Sequence, residues 1–504
     1  MTQSLRLLAA MLVVFAGSLA LAQDGKPQTS AGQEQKSKPR PSVKTATTPA
    51  KLAKFFPYQI HERKLANGLP VIIIPTPEFK DMVTYSTPVF AGSRNETQKG
   101  KTGLAHLFEH VMFLHQYGGV KNGYEEHVRE MGAHNNAFTS YDITFYHPTT
   151  FTSNLIGPVM RGEKQVPGLV ELESARFKNL SVDRKTFEVE AGAVLGEYRR
   201  IFSDPTEKMV EMLSPLAFPT HPYGHTVIGY YDDVVNMPNA WDAAWEFYRG
   251  YYQPNNVALV IVGDVDPAKL MPEIEKRYSD WKPVPVPKIA PEKEPSKEVS
   301  VHVPWDAEVS PHVMVGYHTP AMVPGTKDGA VTQILSELLV SRSAPLFQKL
   351  RYQKQTVTNI GFALPVESSD PGLLLLDTEL LLEKFKTDGT AYPNDVKADL
   401  ISGIEELKTF SKTPKAATTL EVVKSKVRND FLHALDSTGS IAEAFATTYR
   451  YTRDVNTIDK MMAAIDSLTP TDIDNYAKKN FTDQRRVIAT MWYGETKSET
   501  AEVK

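Results

Sequence analysis

The chain has no cysteine in 504 residues, so it forms neither disulfides nor thiolate metal sites, and any zinc must sit on histidine and carboxylate. It has no surplus of positive charge. The 56 Lys and Arg residues against 60 Asp and Glu leave a formal net charge of −4, which gives no electrostatic case for nucleic acid or an anionic membrane surface. Beyond the N-terminus there is no apolar run of membrane-spanning length. Strict βαβ alternation is missing as well, which argues against a doubly wound parallel sheet. What is present is an ordinary globular composition, 41% hydrophobic and 23% charged, in a chain long enough for two domains.

Arg6 precedes an apolar run from Leu7 to Ala22 that ends in the small-x-small sequence Ala20-Leu21-Ala22. This is the pattern of a Sec-type signal peptide cleaved before Gln23, and it predicts a periplasmic or secreted protein; the alternative is an uncleaved anchor, for which the run is slightly short. Residues 23–52, rich in Lys, Gln, Ser, Thr and Pro, cannot bury enough apolar surface to order and read as a tether. Lys64 to Ile74 reads as a hairpin turning at Asn67-Gly68, with Val71–Ile74 a buried strand, and Val257–Val262 is a second such strand. The Pro-rich stretch 283–297 reads as a stiff linker between comparable halves, 53–282 and 298–498. After it, Val313–Tyr317 restarts with a strand and Ala330 to Leu350 carries a helical pattern. Each half mixes strands and helices, so the expected class is α+β. Equal halves suggest a duplication, although no residue-level repeat is evident.

The chemistry concentrates in Gly103-Leu-Ala-His106-Leu-Phe-Glu109-His110-Val-Met-Phe113. On a helix turning about 100° per residue, His106, Glu109 and His110 share one sector, and Leu104, Leu107, Phe108 and Val111 fall opposite. The i, i+4 spacing stacks two imidazoles close enough to share a zinc, with Glu109 beside them to take a proton from water. Catalytic zinc needs a third protein ligand from another element and an open position. In the segment Phe187 to Arg200, Glu190 and Glu197 stand seven residues apart and share a helical face, a spacing that an ordinary solvated helix also produces. His115, His127, His134 and His147 lack useful spacing to a carboxylate and read as surface or supporting residues.

This motif, together with Gly92-Ser-Arg-Asn-Glu96, Asn136-Ala-Phe-Thr-Ser-Tyr-Asp142, Glu190 to Glu197, His221-Pro-Tyr-Gly224 and Tyr252-Gln-Pro-Asn-Asn-Val257, resembles the pitrilysin/insulinase family of inverted-motif zinc peptidases. The resemblance covers about residues 60–270 well and the second half more loosely. It implies two similar halves, each a mostly antiparallel or mixed sheet flanked by helices, forming a clam-shell or half clam-shell. It implies one Zn2+ per chain on His106, His110 and Glu197, Glu109 as general base, and Glu190 as a supporting catalytic-site residue. Asn136, Ala137 and Phe138 then lie on the strand edge that receives an extended peptide. Glu197 follows His110 by 87 residues, longer than the family pattern, so an insertion is expected near Gly157 to Leu169.

The second half departs from the pattern. Arg351 matches the family's substrate-binding arginine, but seven residues on stands Thr358 where a tyrosine is expected, and Tyr352 is merely adjacent. The expectation is therefore a zinc endopeptidase for extended oligopeptides or unfolded segments, working with a homologous partner subunit that supplies the Arg/Tyr pair, as a homodimer, or alone. The competing expectation is a binding or assembly subunit of the same fold that does little chemistry.

Overall fold

The computed structural model describes residues 54–290, 297–363 and 369–494, so the signal sequence and the tether at 23–52 lie outside the described residues. Nine strands fall in the first half. They are β1 (His61–Lys64), β2 (Pro70–Pro75), β3 (Met82–Val89), β4 (Ala137–Thr139), β5 (Thr144–Tyr146), β6 (Thr149–Phe151), β7 (Val159–Arg161), β8 (Lys164–Val166) and β9 (Leu259–Gly263). The turn between β1 and β2 is the predicted one: Gly68 takes φ +93°, which needs no Cβ, and Lys64 pairs with Pro70.

Seven strands build one sheet in the order β1-β2-β9-β3-β5-β4, with β6 also paired to β3. The second half forms a five-stranded sheet, β10 (Val299–Trp305), β11 (His312–Thr319), β12 (Val357–Ala363), β13 (Gly372–Leu380) and β14 (Arg486–Tyr493), in the order β10-β14-β11-β13-β12. Apart from β1 and β6, which the second sheet lacks, the wiring of the two sheets is the same. Counting from β2 and β10, the last strand inserts parallel to the first (β9 on β2, β14 on β10) and antiparallel to the second (β3, β11). The third strand then pairs outside the fourth at an edge (β4 on β5, β12 on β13). The duplication is carried by topology and not by residue identity.

Four helices matter for the site: α1 (Leu104–Val111), α2 (Arg184–Ile201), α3 (Pro205–Ala217) and α4 (Thr438–Thr452). Val71 and Ile73 of β2 face a core shared with Leu104, Leu107 and Phe108 of α1, whereas Ile72 and Ile74 face a core shared with Ile441, Phe445 and Tyr449 of α4. Because successive side chains alternate between faces, a strand covered on both sides must be apolar throughout, which explains the unbroken Val-Ile-Ile-Ile run. The halves exchange helices. While α4 of the second half covers the first sheet, α3 of the first half lays Met209 and Leu213 against Val487, Ala489 and Met491 of β14. Each fully buried aliphatic side chain at these seams contributes roughly 1.5–3 kcal/mol.

Two local expectations are refined. The helical pattern from Ala330 to Leu350 is not one helix: it runs Lys327–Leu339, breaks, and resumes at Pro345 as a short turn leading into a π-helical segment, Gln348–Gln353. Proline has no N–H to continue the first helix and has the right φ to begin the next. The region of the expected insertion is the hairpin β7–β8, pinched at its base, where a Cβ on Gly157 would lie 2.2 Å from the Gly168 nitrogen. Among the described residues no helix is long and apolar enough to cross a membrane.

Candidate metal centre

Helix α1 starts at Gly103, whose φ of 85° lies in the left-handed region. Its first amides are held by a side chain: the buried Glu96 accepts from Gly103 N at 2.7 Å and from Ala105 N at 2.6 Å. A carboxylate at a helix N-terminus satisfies orphan donors and complements the dipole. Burial nevertheless pushes the Glu96 carboxyl up to about 8, against the pull of these amides. Helix α2 is capped by Asp183, which accepts from Thr186 N, and buries the stripe Phe187, Ala191, Val194 and Tyr198. That stripe fixes the helix's rotation and turns Glu190 and Glu197 toward α1.

The two helices bring the predicted residues together. One oxygen of Glu197, Oε2, lies 3.6 Å from His106 Nε2 and 3.6 Å from His110 Nε2. Ligand atoms of these three residues all lie within 4.8 Å of one another, and they are the one such cluster among the described residues. The imidazole centroids are 4.9 Å apart. His110 Nδ1 is 2.9 Å from Glu190 Oε1, so Glu190 accepts the Nδ1 proton and leaves the Nε2 lone pair facing the cluster. The other Glu197 oxygen accepts from Arg200 Nη2 at 3.2 Å.

The electrostatics favour a cation here. Burial, with the neighbouring His110 adding to it, pushes His106 down to about 3, so its ring is neutral and can donate a lone pair. His110 is shifted up: burial alone would lower it, but the hydrogen bond to Glu190 and the carboxylates of Glu109, Glu197 and Glu190 outweigh that. Three carboxylates around one imidazole call for positive charge, which a divalent ion supplies as well as a proton does. A tetrahedral ion with ligands at about 2.0–2.1 Å spaces its donors about 3.3 Å apart, which the Glu197 contacts match. Glu109 is also raised, by burial first, with His110 and the backbone amide of Thr139 pulling the other way.

Thr139 belongs to β4, the edge strand beside α1. The Asn136 carbonyl accepts from His147 N at 3.0 Å and Ser140 N donates to the Ile143 carbonyl at 2.8 Å, so the even-numbered residues pair with β5 and the backbone groups of Ala137 and Thr139 turn to the open side. The Ala137 methyl is buried and the Phe138 ring packs 5.3 Å from that of Phe145, so this strand presents its backbone more than its side chains at the open edge. Arg351 lies on the π-helical segment and makes no side-chain hydrogen bond or ion pair among the described residues. Thr358 sits in β12 and donates to the Glu379 carbonyl at 3.1 Å.

Sequence reasoning missed the supports beneath the site. Arg176 and Glu173 form a fully buried pair at 2.8 Å, and Tyr124 donates to Glu173 at 2.6 Å. The Arg176 guanidinium lies 4.2 Å from the Tyr124 ring and 5.2 Å from Tyr146, whose hydroxyl donates to the Phe108 carbonyl of α1. An i, i+3 Glu–Arg pair on a helix reads as a surface pair in sequence, so only the absence of a polar face around it could have signalled burial.

Comparison with known proteins bears on family and fold. The family described as "Insulinase (Peptidase family M16)" matches residues 71–230, and "Peptidase M16 inactive domain" matches residues 242–409. The "Zinc protease PqqE" of Helicobacter pylori is 27% identical over 433 residues, covering 83% of this chain and 89% of that protein. The beta subunit of the mitochondrial-processing peptidase of Lentinula edodes is 26% identical over 453 residues, covering 84% of this chain and 88% of that one. Among solved structures, a protease from Helicobacter pylori superposes with a TM-score of 0.73 at 24% identity, covering 86% of this chain and 99% of that chain. The periplasmic protease PqqL from Escherichia coli gives 0.66 at 19% identity, covering 87% of this chain and 48% of that chain, a likeness of fold. Two adjoining family matches, the doubled sheet topology and an H-x-x-E-H helix facing a remote glutamate lead to one conclusion: the chain belongs to the insulinase family of peptidases, family M16.

Proposed function

We propose that this chain is a zinc-dependent endopeptidase that cuts extended oligopeptides or unfolded segments. The observation that carries the reading is the single Glu197 oxygen 3.6 Å from both imidazole Nε2 atoms, a two-nitrogen, one-carboxylate donor set with solvent access. When bound, the ion supplies Lewis acidity toward a carbonyl oxygen and toward water. The chain's own residues do the rest. The open edge of β4 takes an extended peptide by main-chain hydrogen bonds, which explains a preference for unfolded substrate over any one side chain. Glu109, held by the Thr139 amide and raised by its burial, accepts the proton of the attacking water and returns it to the leaving amine. Glu190 keeps His110 in the tautomer that presents Nε2.

A second arrangement is favoured by one observation, Thr358 at the position where the family pattern has tyrosine. In that arrangement a homologous subunit supplies the Arg/Tyr pair, and this chain is the zinc-bearing member of a heterodimer; a non-catalytic assembly subunit is the extreme form. The apolar run ending at Ala22 supports export to the periplasm. The test is metal analysis of the purified full chain, with cleavage of an unstructured peptide before and after chelation. One equivalent of zinc with chelator-sensitive cleavage is expected. Zinc with no cleavage until a homologous subunit is added supports the heterodimer, and an absence of bound metal refutes the reading.

A further inference from the structure

Three of the sequence segments singled out above, Gly92–Glu96, Tyr141-Asp142 and His221–Gly224, have no part in the metal chemistry, yet they meet in one place. Gly92 lies so close to the β4–β5 turn that a Cβ there would stand 2.1 Å from the Ser140 oxygen. From it, Ser93 N donates to the Ser140 carbonyl at 3.2 Å and Arg94 N to the Tyr141 carbonyl at 2.9 Å. At the other end of the same five residues, Glu96 holds the first amides of α1. One short segment thus grips both the turn that ends the open edge strand and the helix that carries His106, Glu109 and His110.

The grip includes the second half. Arg94 Nε is 2.6 Å from Asp370 Oδ2 and 3.4 Å from Asp142 Oδ1. Asp370, two residues before β13, also lies 3.0 Å from His221 Nε2. The Asp142 carboxylate accepts from the Tyr223 hydroxyl at 2.9 Å and from Ser369 N at 3.4 Å. The Asp142 side chain is 3% exposed and those of Arg94 and Asp370 are 21% and 20% exposed, so the guanidinium is desolvated enough to act directionally, with a planar fork that lysine cannot reproduce. We infer that Arg94 is a positioning residue: by bridging Asp370 of the second half to Asp142 of the β4–β5 turn, it holds the peptide-receiving edge in register with the helix of the metal ligands. The second half then contributes to substrate binding through this bridge.

The kinetic consequence rests on the peptidase reading; the structural one does not. In the full chain, Arg94→Gln and Asp370→Asn should each raise KM for an unstructured peptide about tenfold while kcat stays within about twofold. The double variant should be no worse than either single one, because both remove the same bridge. Arg94→Lys should fall between, and bound zinc should be unchanged in all of them. Amide hydrogen exchange, read on the same proteins without substrate, should accelerate across residues 137–146 and not across β13. A loss in kcat at unchanged KM, or exchange at 137–146 equal to the unsubstituted chain, would overturn the inference. If the unsubstituted chain cleaves nothing, either alone or with a homologous subunit added, the peptidase reading fails and the exchange measurement alone decides the bridge.

Discussion

The two sheets share a core wiring, yet among the described residues only the first lies beside a helix that turns two histidines and a glutamate to one face. On the first sheet, α1 places His106, Glu109 and His110 beside the open strand β4. On the second, the equivalent edge strand β12 carries Thr358, spent on a hydrogen bond to the adjacent strand, and the preceding π-helical segment carries Arg351, which has no side-chain partner among the described residues. The lesson is that one topology supports a face that clusters metal-ligating side chains and, among the described residues, one that does not. What differs is the handful of side chains on the helix that crosses the edge, not the sheet.

That contrast can be broken experimentally, beginning with the largest effect. His106→Ala should abolish both zinc binding and cleavage, while Glu109→Gln should keep zinc and lose about 10²–10⁴-fold in kcat; metal content and turnover measured on the same preparations distinguish them. Glu109→Gln with full activity would remove the general base from its role. Glu190→Gln should weaken zinc affinity about 10–100-fold, read by chelator competition, because His110 loses the acceptor that orients it. Activity should survive at saturating zinc.

Individual histidines should also respond oppositely to acid. His115 and His225, both in the first half and each 4% exposed, are held down to about 4, chiefly by burial. Their neutral forms are the folded ones. The unfolded chain therefore binds more protons between about 6.5 and 4, and stability is full above that window and falls as pH drops through it. Each should cost about 2 kcal/mol by pH 5, measured as a shift in urea midpoint that His115→Gln flattens. In the second half His312 is shifted up, because Asp377 outweighs its burial, so its contribution has the opposite sign and fades as pH rises. The smallest effect tests the second half as a catalytic contributor. Arg351→Ala should change kcat/KM of the chain alone by less than about twofold. A large loss would assign that arginine to substrate binding, as the resemblance implies.

Much of this was legible without coordinates. The hairpin at Asn67-Gly68, the buried strand Val71–Ile74 and the segregated polar face of α1 follow from turn chemistry and helical period, which act over a few residues. The supports were not legible. Glu173 and Arg176 look like any surface i, i+3 pair, and nothing local says that Tyr124, Tyr146 and Phe177 enclose them. Glu96 looked like one acidic residue in a motif, and its role as the cap of α1 depends on a loop closing over residues 97–102. Pro345, by contrast, was a readable breaker that the longer periodic pattern masked.

By itself the sequence determined the kind of ligands available, the i, i+4 stacking of two imidazoles and the exclusion of any thiolate site, because these depend only on composition and on the pitch of a single helix. The tertiary structure decided that Glu197 converges on both histidines while Glu190 orients one of them, and that the halves cover each other's sheets with exchanged helices. Two glutamates one heptad apart are equivalent until the rotation of their helix against its neighbour is known. That rotation is set by packing between segments some 80 residues apart, which local spacing does not encode.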